Sequence, residues 1–289
     1  MIARLLVLAG ALALAGCGQP APDPARDWPD PSPALWQVTG EHGEKAWLFG
    51  TIHALPDGVE WRTPAFEQAF AASGVLMVEI GDLDNSSAAT EAFAEFSTTD
   101  GLPALSERVP LDDRPALLDA MRKAGMENAD FWDTETWAAA LILGNAVRES
   151  ETGNGVDRAL LGGGKPVQAL ETFAAQFARF DRLAEPEQRQ LLVNTSREAK
   201  RGSTEARVTA WLTGDLSSLE GLVDSELSGA PALRAALLSE RNAYFAARIV
   251  ETMERGKAPF VAVGAGHMVG SDGLPTLLAA RGYAVKRLE

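Results

Sequence analysis

Three short runs of consecutive apolar residues constrain this chain most: Ala46-Trp47-Leu48-Phe49, Val75-Leu76-Met77-Val78 and Phe260-Val261-Ala262-Val263. Each is too short for a helix and lacks polar alternation, so each reads as a strand covered on both faces. Leu35-Trp36-Gln37-Val38 precedes the first run, and Gly40-Glu41-His42-Gly43-Glu44-Lys45 between them reads as a hairpin turn. Pro166–Leu170 and Tyr283–Leu288 read as further strands. Elsewhere the spacing is helical: Pro64–Ala72, then about residues 87–164, where Asp112–Ala124 puts Leu117, Leu118 and Met121 on one side. Phe173–Leu183, Pro186–Lys200, Glu205–Trp211, Leu233–Glu254 and Leu274–Arg281 read the same way. Strands near both ends around a helical middle predict an α/β fold. It would have a mixed, mostly parallel sheet flanked by helices, an N-terminal β-hairpin and a helical insertion at about residues 87–164.

At 289 residues and 46% hydrophobic, the chain is long enough for a substantial core. Lys+Arg 26 against Asp+Glu 40 gives a net charge of −14, which repels phosphate backbones, and no local basic patch offsets it. Nucleic-acid partners are therefore excluded as an expectation. The single cysteine excludes an internal disulfide and a Cys-based zinc site. Histidine chemistry must come from His42, His53 or His267.

The first residues have signal-peptide anatomy: Arg4, an apolar run Leu5–Leu14, and small residues at a processing site. Leu14-Ala15-Gly16-Cys17 resembles a bacterial lipobox, and the only cysteine sits where the lipobox needs it. An ordinary secretory signal is the alternative. The reading is a signal peptide at residues 1–16, a lipidated Cys17, a tether over residues 17–33, and a folded domain over residues 34–289. Pro20, Pro22, Pro24, Pro29, Pro31 and Pro33 favour an extended polyproline II tether. A lipid at Cys17 would anchor the chain to a membrane, and the lipobox implies the outer membrane of a double-membraned bacterium, facing the periplasm.

His53 and His267 share one local pattern, Gly-X-X-His, in Gly50-Thr51-Ile52-His53 and Gly264-Ala265-Gly266-His267. Each follows an apolar run, so each would lie at the carboxyl end of a strand, where open α/β sheets bind ligands. Glu79 ends the run Val75–Val78, so it could reach the same edge. Two imidazoles and a carboxylate gathered there suit a divalent metal with open positions, the equipment for hydrolysis. Glu79 could instead pair with a core arginine. The Gly264–Gly270 stretch mimics a dinucleotide loop, but its spacing is wrong and no βαβ unit follows. His42, in a Gly-flanked turn, is expected to be solvent-exposed. Glu171 follows the strand Pro166–Leu170 and could act as general base or fourth ligand. Arg241, on a long helix, could clamp a substrate carboxylate or neutralise Glu171.

The chain resembles the TraB/GumN family, which includes the TIKI-type proteases. The carrying segments are Leu48-Phe49-Gly50-Thr51-Ile52-His53, Met77-Val78-Glu79, Gly155-Val156-Asp157, Gly164-Lys165-Pro166-Val167, Leu170-Glu171-Thr172 with Gln176, Glu240-Arg241-Asn242, and Phe260 through His267 to Arg281-Gly282-Tyr283. That family's fold is similar to those of erythromycin esterases and haem-binding ChaN-like proteins. The resemblance implies that His53, His267 and Glu79 are metal and catalytic residues, with manganese, cobalt or zinc as the metal. It also implies that Glu171, Arg241 and Asn242 line the same pocket, and Thr51, beside His53, is a further candidate for substrate binding. The implied activity is metal-dependent hydrolysis of a peptide or protein, and the alternative is non-catalytic binding of peptide or haem.

Overall fold

The computed structural model describes residues 27–147, 155–201 and 204–289. The expected signal peptide, the lipidated Cys17 and the first part of the tether lie outside them. The chain already lies against the domain before residue 34. Trp28 packs on the core, and the Ser32 N–H donates to the Leu212 carbonyl at 2.8 Å.

Among the described residues, six strands form one mixed sheet: β1 Leu35–Thr39, β2 Lys45–Thr51, β3 Val75–Ile80, β4 Val167–Glu171, β5 Pro259–Gly264 and β6 Ala284–Arg287, in the order β4-β3-β5-β2-β1-β6. β4, β3, β5 and β2 are mutually parallel, whereas β1 is antiparallel to both β2 and β6. The N-terminal hairpin and the mostly parallel sheet are therefore both present. The apolar runs occupy the centre because only there is a strand covered on both faces. The two edge strands, β4 and β6, leave Val167, Ala284, Lys286 and Arg287 exposed.

The pleat sends alternate residues into two apolar layers. Trp47, Phe49, Leu76, Val78, Phe260 and Ala262 face one side, packed on Phe66 and Phe70 of α1 (Pro64–Ala72) and Trp211 of α8 (Thr204–Leu212). Ala46, Leu48, Met77, Val261 and Val263 face the other, packed on α11 (Glu240–Glu254) and α12 (Leu274–Ala280). Trp211 also donates its indole N–H to the Gly50 carbonyl at 2.8 Å, pinning the end of β2.

Between β3 and β4 the described residues form α2 (Ser86–Phe96), α3 (Arg114–Ala124), α4 (Thr136–Ala146) and α5 (Val156–Leu161). Helix α3 starts two residues later than its periodicity suggests, with Pro115 in its first turn. Between β4 and β5 come α6 (Phe173–Asp181), α7 (Glu185–Arg201), α8, α9 (Leu216–Glu226) and α10 (Pro231–Arg234). Helices α3, α4 and α7 share a separate core of Leu117, Met121, Leu143 and Leu192. Helix α9 is one that periodicity missed. Its start is set by Asp215, whose side chain accepts from the Ser218 N–H. A π-helical turn, Ala235–Ser239, joins α10 to α11 just before Arg241.

Candidate functional site

Because β2, β3 and β5 run parallel side by side, their carboxyl ends share one edge of the sheet. Thr51 ends β2 with His53 two residues on, Glu79 is the penultimate residue of β3, and Gly264 ends β5 before a 3-10 turn, Ala265–Met268, that carries His267. The two glycines serve this junction sterically. A Cβ on Gly50 would stand 3.0 Å from the Cα of Ala265, so the close approach of β2 to the turn needs glycine. A Cβ on Gly264 would lie 3.4 Å from Glu79 Oε1, 3.8 Å from the His267 ring and 4.0 Å from His53 Nε2. It would fill the space around which the three candidate groups gather.

Glu79 accepts from the Gly264 N–H at 2.8 Å through Oε1 and from Arg241 Nη2 at 2.5 Å through Oε2. Burial pushes its carboxyl up, but the opposing pull of His267, Arg241 and His53 and the Gly264 N–H is larger, and it falls from 4.5 to about 2. Near neutral pH it is ionised.

His267 is 4% exposed. Asn242 donates from Nδ2 to the Asp272 carbonyl at 2.8 Å, which turns its Oδ1 to His267 Nδ1 at 2.5 Å. That oxygen only accepts, so the ring proton sits on Nδ1 and Nε2 presents a lone pair. Arg241 Nη1 faces this lone pair at 3.1 Å. Burial lowers the imidazole most, Glu79 raises it and Arg241 lowers it, leaving it at about 4. His267 is therefore neutral at pH 7.

Arg241 uses all five of its donors. Nε donates to Glu171 Oε2 at 3.0 Å, Nη2 to Glu171 Oε2 at 2.8 Å and to Glu79, and Nη1 to the Leu237 carbonyl at 3.1 Å and to His267. The Glu171 Oε1 atom is held by Arg179 Nε at 3.0 Å. Of the alternatives open from sequence, Glu79 pairs with a core arginine and Arg241 neutralises Glu171. Glu171, 7% exposed, and Asn242, 1% exposed, sit behind the site holding Arg241 and His267.

His53 is different, because its side chain is 62% exposed. Its Nδ1 lies 2.8 Å from Asp157 Oδ2, and the Thr51 hydroxyl donates to Asp157 Oδ1 at 2.6 Å. Thr51 thus braces Asp157, and at 2% exposed it is closed off from solvent. Asp157 is the residue sequence reasoning missed. Gly155-Val156-Asp157 is visible as a segment, but nothing in it says that it meets a histidine 104 positions away. His53, Glu79 and Asp157 open on a cleft of about 140 Å³ lined also by Val78, Ile80, Leu161, Phe173 and Gln176. A larger hollow of about 440 Å³, between Leu55–Val59 and α5, contains none of these groups. His42 is exposed, as its turn implies.

Ligation of a divalent cation needs imidazole lone pairs and an ionised carboxylate. His53, His267 and Glu79 fit in kind: ionised Glu79 and the two rings border a space that a Cβ would fill, and both Nδ1 atoms face oxygen acceptors. As the side chains lie, no three His, Cys, Asp or Glu groups among the described residues stand at ligating spacing. Arg241 would have to release His267 Nε2, keeping Leu237 as acceptor for Nη1.

One pH effect follows from the metal-free site. The folded His267 titrates at about 4 against 6.5 for an ordinary imidazole, so the unfolded chain binds its proton first. The contribution is fully present above pH 6.5 and is lost as pH falls towards 4, by about 3 kcal/mol in all. Glu79 adds a further loss only between pH 4.5 and about 2. Urea unfolding in chelator at several pH values checks this. His267→Gln should flatten the slope between pH 6.5 and 4, and an unchanged slope would refute the assignment.

A search of curated proteins and a search of solved structures each returned no match. A family profile does match, over residues 34–287, from the start of the sheet to its last strand. With the fold and the matched segments spanning the same residues, this chain belongs to the TraB/PrgY/gumN family.

Proposed function

We propose that the protein is a lipid-anchored hydrolase of the bacterial cell envelope that cleaves peptide bonds at the edge formed by β2, β3 and β5. The observation that carries this reading is the gathering of His53 Nε2, Glu79 Oε1 and the His267 ring around Gly264. His53, Glu79 and His267 would hold a manganese, cobalt or zinc ion, which when bound polarises a carbonyl and acidifies water. Glu79, ionised and bordering the cleft, accepts a proton or serves as ligand. Arg241 keeps Glu79 ionised, and Glu171 and Asn242 fix Arg241 and His267 in place.

The cleft supports a peptide substrate over haem. At about 140 Å³ it is well below the roughly 300–1,000 Å³ of pockets that engulf a small molecule, so it suits one residue of an extended chain. The bond between Arg241 and His267 Nε2 favours a second reading, peptide binding without turnover.

The test is metal content, circular dichroism and cleavage of a peptide library with manganese, cobalt or zinc, on wild type, His53→Ala, His267→Ala and His42→Ala. Loss of metal and cleavage in the first two variants, with His42→Ala unchanged, is expected. If wild type takes up no divalent metal and cleaves nothing, peptide binding replaces hydrolysis. The anchor is tested separately. Cys17→Ser should abolish labelling by radioactive palmitate and leave the protein unprocessed or released from membranes, whereas equal labelling would remove the lipoprotein reading.

A further inference from the structure

We infer that Asp157, braced by Thr51, is the positioning residue of the site: it holds His53 with its proton on Nδ1 and its Nε2 lone pair toward Glu79 and Gly264. The functional meaning rests on the hydrolase reading, but the tautomer does not. Contacts of three residues, Val156, Arg158 and Thr51, fix Asp157 before it meets the histidine. The Val156 N–H donates to the Ile52 carbonyl at 3.0 Å, tying the start of α5 to the residue before His53. Arg158, the next residue, donates to the Leu83 carbonyl at 3.1 Å and pairs with Asp84, tying α5 to the loop after β3. Thr51 then occupies Asp157 Oδ1, which leaves Oδ2 to receive His53 Nδ1 at 2.8 Å.

The need for such a device follows from exposure. A ring 62% open to water has little packing to hold it, and a solvated imidazole favours its proton on Nε2, which would put an N–H where the site needs a lone pair. Asn242 does for His267 what Asp157 does for His53, through an amide in place of a carboxylate. The two Gly-X-X-His segments are thus completed by two distant oxygen acceptors, neither within its own motif. A partner of this kind sets ring orientation as well as tautomer, and its loss from a metal-binding histidine typically weakens metal affinity about 10–100-fold.

The experiment is long-range proton–nitrogen correlation NMR on uniformly nitrogen-15-labelled, metal-free protein at about pH 8, above the ordinary imidazole range. Three histidines give three ring patterns. In wild type, His53 and His267 should both be protonated on Nδ1. In Asp157→Ala the His53 pattern should switch to the Nε2-protonated form while that of His267 stays, which reports an intact fold. Thr51→Val keeps the carboxylate but removes its brace, and should lower the Nδ1-protonated fraction of His53. This second variant keeps the inference testable if Asp157→Ala does not fold. A His53 protonated on Nε2 in wild type, or one unmoved by either variant, would overturn the inference. Neither metal nor substrate enters the measurement, so failure to detect hydrolysis would leave the tautomer of His53 unaffected.

Discussion

In urea denaturation at pH 7, Arg241→Leu should unfold about 3–5 kcal/mol more easily than wild type, the usual cost of removing one partner from a buried ion cluster. Arg241 is 7% exposed, and its guanidinium is the contact shared by Glu79, Glu171 and His267. Leucine fills part of the volume but leaves both carboxylates in a site built around a cation. Arg179 still holds Glu171, so the unpaired charge falls mainly on Glu79, whose carboxyl should climb from about 2. The penalty should therefore shrink as pH is lowered and Glu79 takes up a proton. Arg241→Lys should recover only part of the loss, because an ammonium brings three donors in place of five. A leucine variant within about 1 kcal/mol of wild type would show that the cluster contributes little.

On the proposed hydrolase reading, Glu79→Gln should cut peptide cleavage by about 10²–10⁴-fold if Glu79 takes the proton from water. The amide keeps the size of the side chain, and its oxygen still accepts from the Gly264 N–H. It cannot pair with Arg241 as a carboxylate does, so a stability loss of about 1–3 kcal/mol is expected, smaller than for Arg241→Leu because Arg241 retains Glu171. Metal content separates the roles. Cleavage lost with metal retained makes Glu79 the proton acceptor, and both lost makes it a ligand. Cleavage within about threefold of wild type would remove Glu79 from the chemistry.

What was legible in the sequence is what local pattern determines. Val75–Val78 and Phe260–Val263 declare themselves as buried strands, so Glu79 and His267 could be put at strand ends without knowing the register. Which groups meet each of them could not be read. That Glu79 receives the Gly264 N–H depends on β3 pairing with β5 across 185 residues. That Arg241 reaches Glu79 and Glu171 depends on how α11 is set against the sheet. The π-helical turn before Arg241 has no sequence signal of its own, because Ala235-Ala236-Leu237-Leu238-Ser239 is ordinary helical sequence. Asp157 lies in the first turn of a six-residue helix that follows no strand among the described residues, so no edge argument could reach it. The start of α9 went unread as well: Asp215 is a residue type that caps helices, but no acidic or amide residue three positions on marks it as a cap.

The strand order carries a consequence for timing. β5 is the fifth strand made, yet it lies between β2 and β3, which do not pair with each other. Until residues 259–264 arrive, the two halves of the sheet expose facing, unsatisfied edges, and closing them requires contacts across most of the chain, a slow kind of step. A chain emerging from its N-terminus therefore has His53 and Glu79 early but cannot bring them together. The gathering of His53, Glu79 and His267 at one edge therefore waits for roughly the last tenth of the molecule, and a chain that stops before β5 lacks it altogether.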